Sequence, residues 1–219
     1  MGAAATRVSL TASGQSQVIE GSVCISASEA VAAFQLPQIL LKLRDLAPGI
    51  DVEVLATNAV SDLMRREADI AVRHFRSSQP DLIARKLKDI AAWLYAAPAY
   101  LDRIGRPATP CDLSQATFIG FGGSDRMITG LNALGFNLSS KNFRLLSESE
   151  LVRWELVKQG LGIGVITEDI GGAEPLVEKV LPSMAPIMIP VWLTTHRELR
   201  TSRRIRVVYD LLAEELGRD

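Results

Sequence analysis

The stretch Gly21 to Val54, GSVCISASEAVAAFQLPQILLKLRDLAPGIDVEV, constrains the fold more than any other part of the chain. Val23 and Ile25 are strand formers, with the short residues Cys24 and Ser26 between them. Ser26-Ala-Ser-Glu29 has the spacing of a capping box, in which a Ser hydroxyl accepts from a helix N-terminal N–H and the Glu reaches back. A helix is expected to run to about Leu46, where Pro48-Gly49 stops it. Asp51 to Leu55 alternates like a strand. Two strands joined by a helix of this length lie parallel and side by side.

The turn into that helix offers backbone N–H groups without helical partners and the positive end of a dipole. It therefore suits an anion or a polar ligand oxygen. The simpler reading is that Ser26 and Glu29 only cap the helix. Ser147-Glu-Ser-Glu150 repeats the pattern, again after a predicted strand, and two such helix starts are what a cleft between two α/β lobes needs.

Leu36, Ile39, Leu40, Leu43 and Leu46 form an apolar stripe on the first helix, while Phe34 and Leu41 point the other way. Pro37 is expected to bend it. An apolar second side calls for a covering element, either a partner subunit or another part of the same chain. Asn58 is a candidate N-cap for a short helix carrying Val60, Leu63 and Met64, followed by a strand at Asp69–Arg73, which completes a βαβαβ unit. His74-Phe75-Arg76 follows at the carboxyl end of that strand, where ligands bind in open α/β sheets.

Farther on, Leu82–Leu87 and Ala91–Ala97 read as two strands joined by Lys88-Asp89, and Pro98 opens a helix. A second α/β half follows, with strands at Thr117–Gly120, Phe143–Leu146 and Ile163–Ile166 and helices at Ser124–Leu134 and Ser147–Gln159. Ile187–Thr194 is a strand interrupted by Pro190. Residues 200–217 form an amphipathic helix with Ile205, Val208, Leu212 and Leu216 on one face.

With 219 residues and a net charge of −1, the chain can bury a sizeable core and carries no global field for nucleic acid or an acidic membrane. No apolar run is long enough to span a bilayer, and the N-terminus lacks a signal-peptide pattern. Met1-Gly2 matches a myristoylation pattern but is read as an artefactual start. Cys24 and Cys111 have neither metal-ligand spacing nor a CxxC partner, which points to structural thiols in a reducing cytosol.

Gly160-Leu-Gly162-Ile-Gly164 lacks the third glycine of a dinucleotide fingerprint and leaves a helix for a strand, the reverse of what that fingerprint requires. It reads as a helix C-cap followed by tight strand packing. Gly120-Phe-Gly-Gly-Ser124 is a better anion candidate, since it follows a strand and precedes a helix, but no Lys stands at the P-loop position. His74 and His196 are the sole histidines, and there is no GxSxG elbow. No metal site, cofactor or catalytic residue is expected. The basic run Arg200–Arg206 reads as a solvated helix face rather than a nucleic-acid contact. Trp93, Trp154 and Trp192 read as packing residues.

Taken together, Gly21-Ser-Val-Cys-Ile-Ser-Ala-Ser-Glu29, Leu36-Pro37, Ala47-Pro-Gly49, Arg66-Glu-Ala-Asp-Ile-Ala-Val-Arg73, Pro98-Ala-Tyr100-Leu, Gly105-Arg-Pro107 and Gly160-Leu-Gly-Ile-Gly164 resemble the effector-binding domain of LysR-type transcriptional regulators, over about Gly21 to Leu216. The resemblance implies an α/β fold of two Rossmann-like lobes joined by two crossover strands, like type 2 periplasmic binding proteins. It implies a linker remnant at 1–20, lobe I at 21–95 and 192–219, and lobe II at 96–191. The crossovers would lie near Ala92–Ala96 and Pro190–Thr194. The family's N-terminal winged helix-turn-helix is not in this chain, so contact with DNA is expected only through that missing domain.

By position, the effector cleft implied by the family would be lined by Ser26, Ser28, Glu29 and Asn58, and by Arg73, His74 and Phe75. The second lobe would add Gly120, Phe121, Ser147, Glu148 and Thr167, the last standing near where many members carry Pro. Family dimers pair lobe I against lobe II of the partner, which would place Phe34 and Leu41 in an interface. The expected function is a cytoplasmic ligand-sensing module, a homodimer or homotetramer that binds a small polar or anionic effector and has no membrane partner. The alternatives are a cytosolic solute-binding protein and a small-molecule enzyme on the same two-lobe fold.

Overall fold

The computed structural model describes residues 19–58, 68–77, 79 and 81–218. Of the linker expected at 1–20, residues 1–18 lie outside the described residues, as does the short helix with Val60, Leu63 and Met64, while Glu20 already opens the first strand.

The opening βαβ unit forms as patterned. Strand β1 (Glu20–Ala27) pairs in parallel with β2 (Gly49–Ala56), with Val23 opposite Val52. It also pairs in parallel with β3 (Ile70–Arg73), with Ser26 opposite Ala71. Between β1 and β2 runs helix α1 (residues 29–46). Its Val31–Gln35 turn is a π-helix, and the Leu36 N–H bonds the Val31 carbonyl. Pro37 follows directly; it has no N–H for the carbonyl of Ala33, and the wide turn accommodates that loss. Leu36, Ile39 and Leu43 are buried as expected. Leu46, in the last turn, is not: it is 62% exposed, and Ala47 beside it takes the buried position.

The two strands expected at 82–97 are one. Strand β4 (Leu82–Ala96) runs through Lys88-Asp89, which offers no Gly or Pro to turn on, and shows only a register irregularity between Lys86 and Lys88. Its antiparallel partner β9 (Ile187–His196) is likewise uninterrupted. Pro190 lies opposite Asp89, just past that irregularity, where the ladder is already disturbed and a missing donor costs least. These two long strands cross the whole molecule. The sheet order is β2-β1-β3-β9-β4-β7, with β8 (Glu178–Lys179) also on β4 and β7 (Gly164–Thr167) antiparallel to β4.

Helix α2 (Pro98–Arg103) leaves β4 and leads into the second half. There β5 (Ile119–Gly120) pairs in parallel with β6 (Leu145–Leu146), and Phe118 bridges Ile163. Helices α3 (Asp125–Ala133), α4 (Glu150–Lys158) and α5 (Glu168–Gly171) cover this half. Helix α6 (Arg203–Gly217) returns to the first half.

Two packed regions flank the long strands. The first joins β1, α1, β3, β9 and α6 through Ile25, Leu36, Ile70, Leu193 and Leu212. The second gathers Leu94, Leu113, Phe118, Phe143 and Ile163, and beside it Trp154 meets Tyr95 edge-on at 6.1 Å. Each fully buried Leu, Ile or Phe contributes about 1.5–3 kcal/mol over an exposed one. On α6, Ile205, Val208, Leu212 and Leu216 are buried while Arg203, Arg204 and Arg206 face outward, so the basic run is a helix face. Cys24 is half-buried, not fully so, and burial, followed by the carboxylates of Glu53 and Asp69, raises its pKa.

Candidate functional site at the lobe junction

The N-termini of α1 and α4 face each other across the junction of the two halves, and each is capped by a carboxylate from the other. The Glu29 Oε2 accepts from the Ser149 hydroxyl at 2.8 Å, the Glu150 N–H at 2.6 Å and the Leu151 N–H at 3.4 Å. In return the Glu150 Oε2 accepts from the Ala30 N–H at 3.2 Å. Asn58 ties the same seam: its Oδ1 accepts from the Glu29 N–H and its Nδ2 donates to the Glu148 carbonyl, both at 3.3 Å.

The predicted capping boxes are therefore corrected. The α1 start is served by Ser28, whose Oγ accepts from the Val31 N–H at 3.5 Å. Ser26 is still within β1, and its hydroxyl accepts from Arg73 Nη2 at 2.7 Å. Ser149, not Ser147, caps α4 by accepting from the Val152 N–H. In both boxes the glutamate reaches to the opposite lobe rather than back along its own helix.

Beside this seam lies an open cavity of about 350 Å³. Ser28, Asn58, Arg73, His74 and Phe75 line it from one half, and Phe121, Gly122, Glu148, Glu150 and Arg153 from the other. Arg73 is buried, with Nη1 donating to the Val72 carbonyl at 2.8 Å as well as Nη2 to Ser26. Arg153 donates through Nη1 to the carbonyls of Ser147 at 2.7 Å and Glu148 at 3.2 Å, and its guanidinium stands 5.3 Å from the centre of the Phe121 ring. That stack places a cation on an aromatic wall and holds the 147–149 turn. The His74 Nδ1 faces the Pro190 carbonyl at 3.4 Å.

The cavity thus gathers Ser28, Asn58, Arg73, His74, Phe75, Phe121 and Glu148 of the residues singled out in the sequence. Ser26, Glu29, Gly120 and Ser147 stand behind its wall: Ser26 supports Arg73, Glu29 caps α4, Gly120 lies in β5, and the Ser147 Oγ accepts from the Ser149 N–H. Thr167 lines a separate small chamber of about 50 Å³, together with Ala30, His74 and Glu150. The sequence reading missed Gly122, Glu150 and Arg153 as lining residues. Glu150 was visible as the last residue of the second box; Arg153, one turn into α4, carried no local signal.

The glycine motifs resolve as packing and turn devices. Gly160 has φ +73° and ends α4, and the Leu161 N–H returns to the Leu156 carbonyl. A Cβ at Gly162 would stand 2.8 Å from the Thr117 carbonyl oxygen, so the strand passes too close for a side chain. In the 120–124 loop the Gly122 N–H donates to Glu148 Oε1 at 2.6 Å, so a carboxylate of the same chain fills this anion position. Among the described residues no cluster of His, Cys, Asp and Glu could hold a metal ion, and no helix is long and apolar enough to cross a membrane.

The family described as "LysR substrate binding domain" matches residues 16–217. The chain belongs to this family. The HTH-type transcriptional regulator CrgA of Neisseria meningitidis serogroup C (strain 8013) is 24% identical over 207 residues, covering 92% of this chain and 69% of CrgA. The solved CrgA regulatory domain superposes with a TM-score of 0.79 at 22% identity, covering 91% of this chain and 100% of that one. Full-length AphB, a Vibrio cholerae virulence activator, gives 0.72 at 18% identity, covering 96% and 75%. The fold is that of LysR regulatory domains, two Rossmann-like lobes joined by the crossover strands β4 and β9. As a LysR substrate-binding domain, the chain is the ligand-sensing part of a LysR-type regulator.

Proposed function

We propose that this LysR domain senses a small polar or anionic effector in the 350 Å³ cavity at the lobe junction, and that the effector sets the angle between the lobes. The observation that carries this reading is the convergence of polar side chains from both halves on one cavity beside the cross-capped helix starts. A ligand touching both halves binds one interlobe angle better than another, and that difference is the signal it can send. Phe75 and Phe121 supply the apolar walls that a small organic molecule needs. Larger grooves of about 620 and 670 Å³ lie elsewhere, and neither is lined by the α1 or α4 start.

The rest of the reading follows the relatives. The domain is a cytoplasmic sensor rather than an enzyme, it needs no cofactor, and it reaches DNA only through a separate DNA-binding domain. Phe34 and Leu41 on α1 would sit on the face that meets a second copy in a homodimer or homotetramer, a reading their exposure supports. A thermal-shift screen of small carboxylates and amino acids should find compounds that raise the melting temperature. Asn58→Ala and Arg153→Ala should each weaken a hit; a hit whose affinity both variants leave unchanged binds elsewhere and refutes the site.

A further inference from the structure

Three backbone anion positions surround the junction, and the chain's own carboxylates fill all three. Glu29 sits on the α4 start with three donors, the shortest at 2.6 Å. Glu148 sits on the Gly122 N–H at 2.6 Å. Glu150 sits on the Ala30 N–H at the α1 start with that single backbone donor, at 3.2 Å. Charge-assisted bonds are strongest when short and multiple, so Glu150 is the most weakly held of the three.

Glu150 also stands at a partition. With His74, it lines both the 350 Å³ cavity and the 50 Å³ chamber. Thr167 lines that inner chamber, is 9% exposed, and its Oγ1 is buried with no hydrogen-bond partner. A buried hydroxyl without a partner costs free energy that an incoming polar group would recover. The α1 start therefore combines an exchangeable occupant with an unmet hydroxyl beside it.

We propose that Glu150 is a tethered stand-in for the effector's carboxylate: a carboxylate-bearing ligand displaces it from the Ala30 N–H, enters the inner chamber, and meets Thr167. This rests on the interlobe reading above and adds to it the ligand class and the residue that gates it. Displacement frees Glu150 from the first lobe while Glu29 still holds α4, so ligand binding exchanges one interlobe tie for another.

The test is an amide chemical-shift titration of the parent, Glu150→Ala and Glu150→Gln with acetate, and with acetamide as the neutral isostere, at matched ionic strength. Acetate should move the Ala30 amide in Glu150→Ala at about tenfold lower concentration than in the parent. Glu150→Gln, which keeps an acceptor but loses the charge, should fall between them, and acetamide should show no such gain. If Glu150→Ala does not fold, Glu150→Gln alone carries the comparison. If acetate moves Gly122 and Asn58 equally in all three proteins and leaves Ala30 still, the gate is wrong and the interlobe site stands. If acetate moves no cleft amide in any of them, both readings fall.

Discussion

Removing the Glu29 carboxylate should loosen the two lobes from each other, because one oxygen serves three donors on the opposite half. In Glu29→Ala, the Ser149 hydroxyl and the Glu150 and Leu151 N–H groups lose their acceptor at 2.8, 2.6 and 3.4 Å. Loss of a helix N-cap costs about 0.5–2 kcal/mol. Hydrogen bonds to a charged group are worth about 1.5–3 kcal/mol. Glu29 is only part-buried, so water replaces some of what is lost, and a net cost of about 1–2 kcal/mol is expected. For a domain of this size that is a fall in Tm of about 2–8 °C, read by circular dichroism. A double-mutant cycle with Ser149→Ala isolates the cross-lobe term and should show a coupling of about 0.5–1 kcal/mol. A Glu29→Ala protein that melts within about 1 °C of the parent, with the two substitutions additive, would refute the cross-cap as a tie between lobes.

Gly171→Ala should destabilise by about 1–3 kcal/mol or prevent folding, since the new Cβ would stand 2.3 Å from the Tyr95 ring, which Trp154 pins edge-on; urea unfolding checks it. Cys111 is exposed, whereas Cys24 is half-buried with its thiol pKa raised, so a thiol reagent at neutral pH should label Cys111 first, as peptide mass analysis would show. Phe34→Asp with Leu41→Asp should shift sedimentation toward the monomer while far-UV circular dichroism keeps the parent's helix signal, because both side chains are exposed, at 44% and 58%; an unchanged oligomer would place the interface elsewhere.

The parts of the fold that a short-range pattern encodes were legible in the sequence. The β1–α1–β2 unit, the buried face of α6 and the role of the 160–164 glycines each rest on a periodicity or a turn residue that needs no distant partner. What was not legible depends on partners far along the chain. β4 reads as two strands until β9 pairs along its whole length, and Pro190 reads as a break until Asp89 is seen opposite it. The site divides the same way. Residues at strand ends, such as Arg73 to Phe75, could be placed from topology. Glu29 and Glu150 could be identified as helix-start residues, but a local box cannot reveal that each carboxylate caps a helix about 120 residues away in sequence.

The most direct test of the two-lobe sensor is the structure of the domain with the strongest ligand from the thermal-shift screen. The ligand should lie between α1 and α4, touching Ser28 or Asn58 on one side and Phe121 or Gly122 on the other. A ligand seated in the groove beneath α6, beside Arg206 and Tyr209 and in contact with a single lobe, would contradict it.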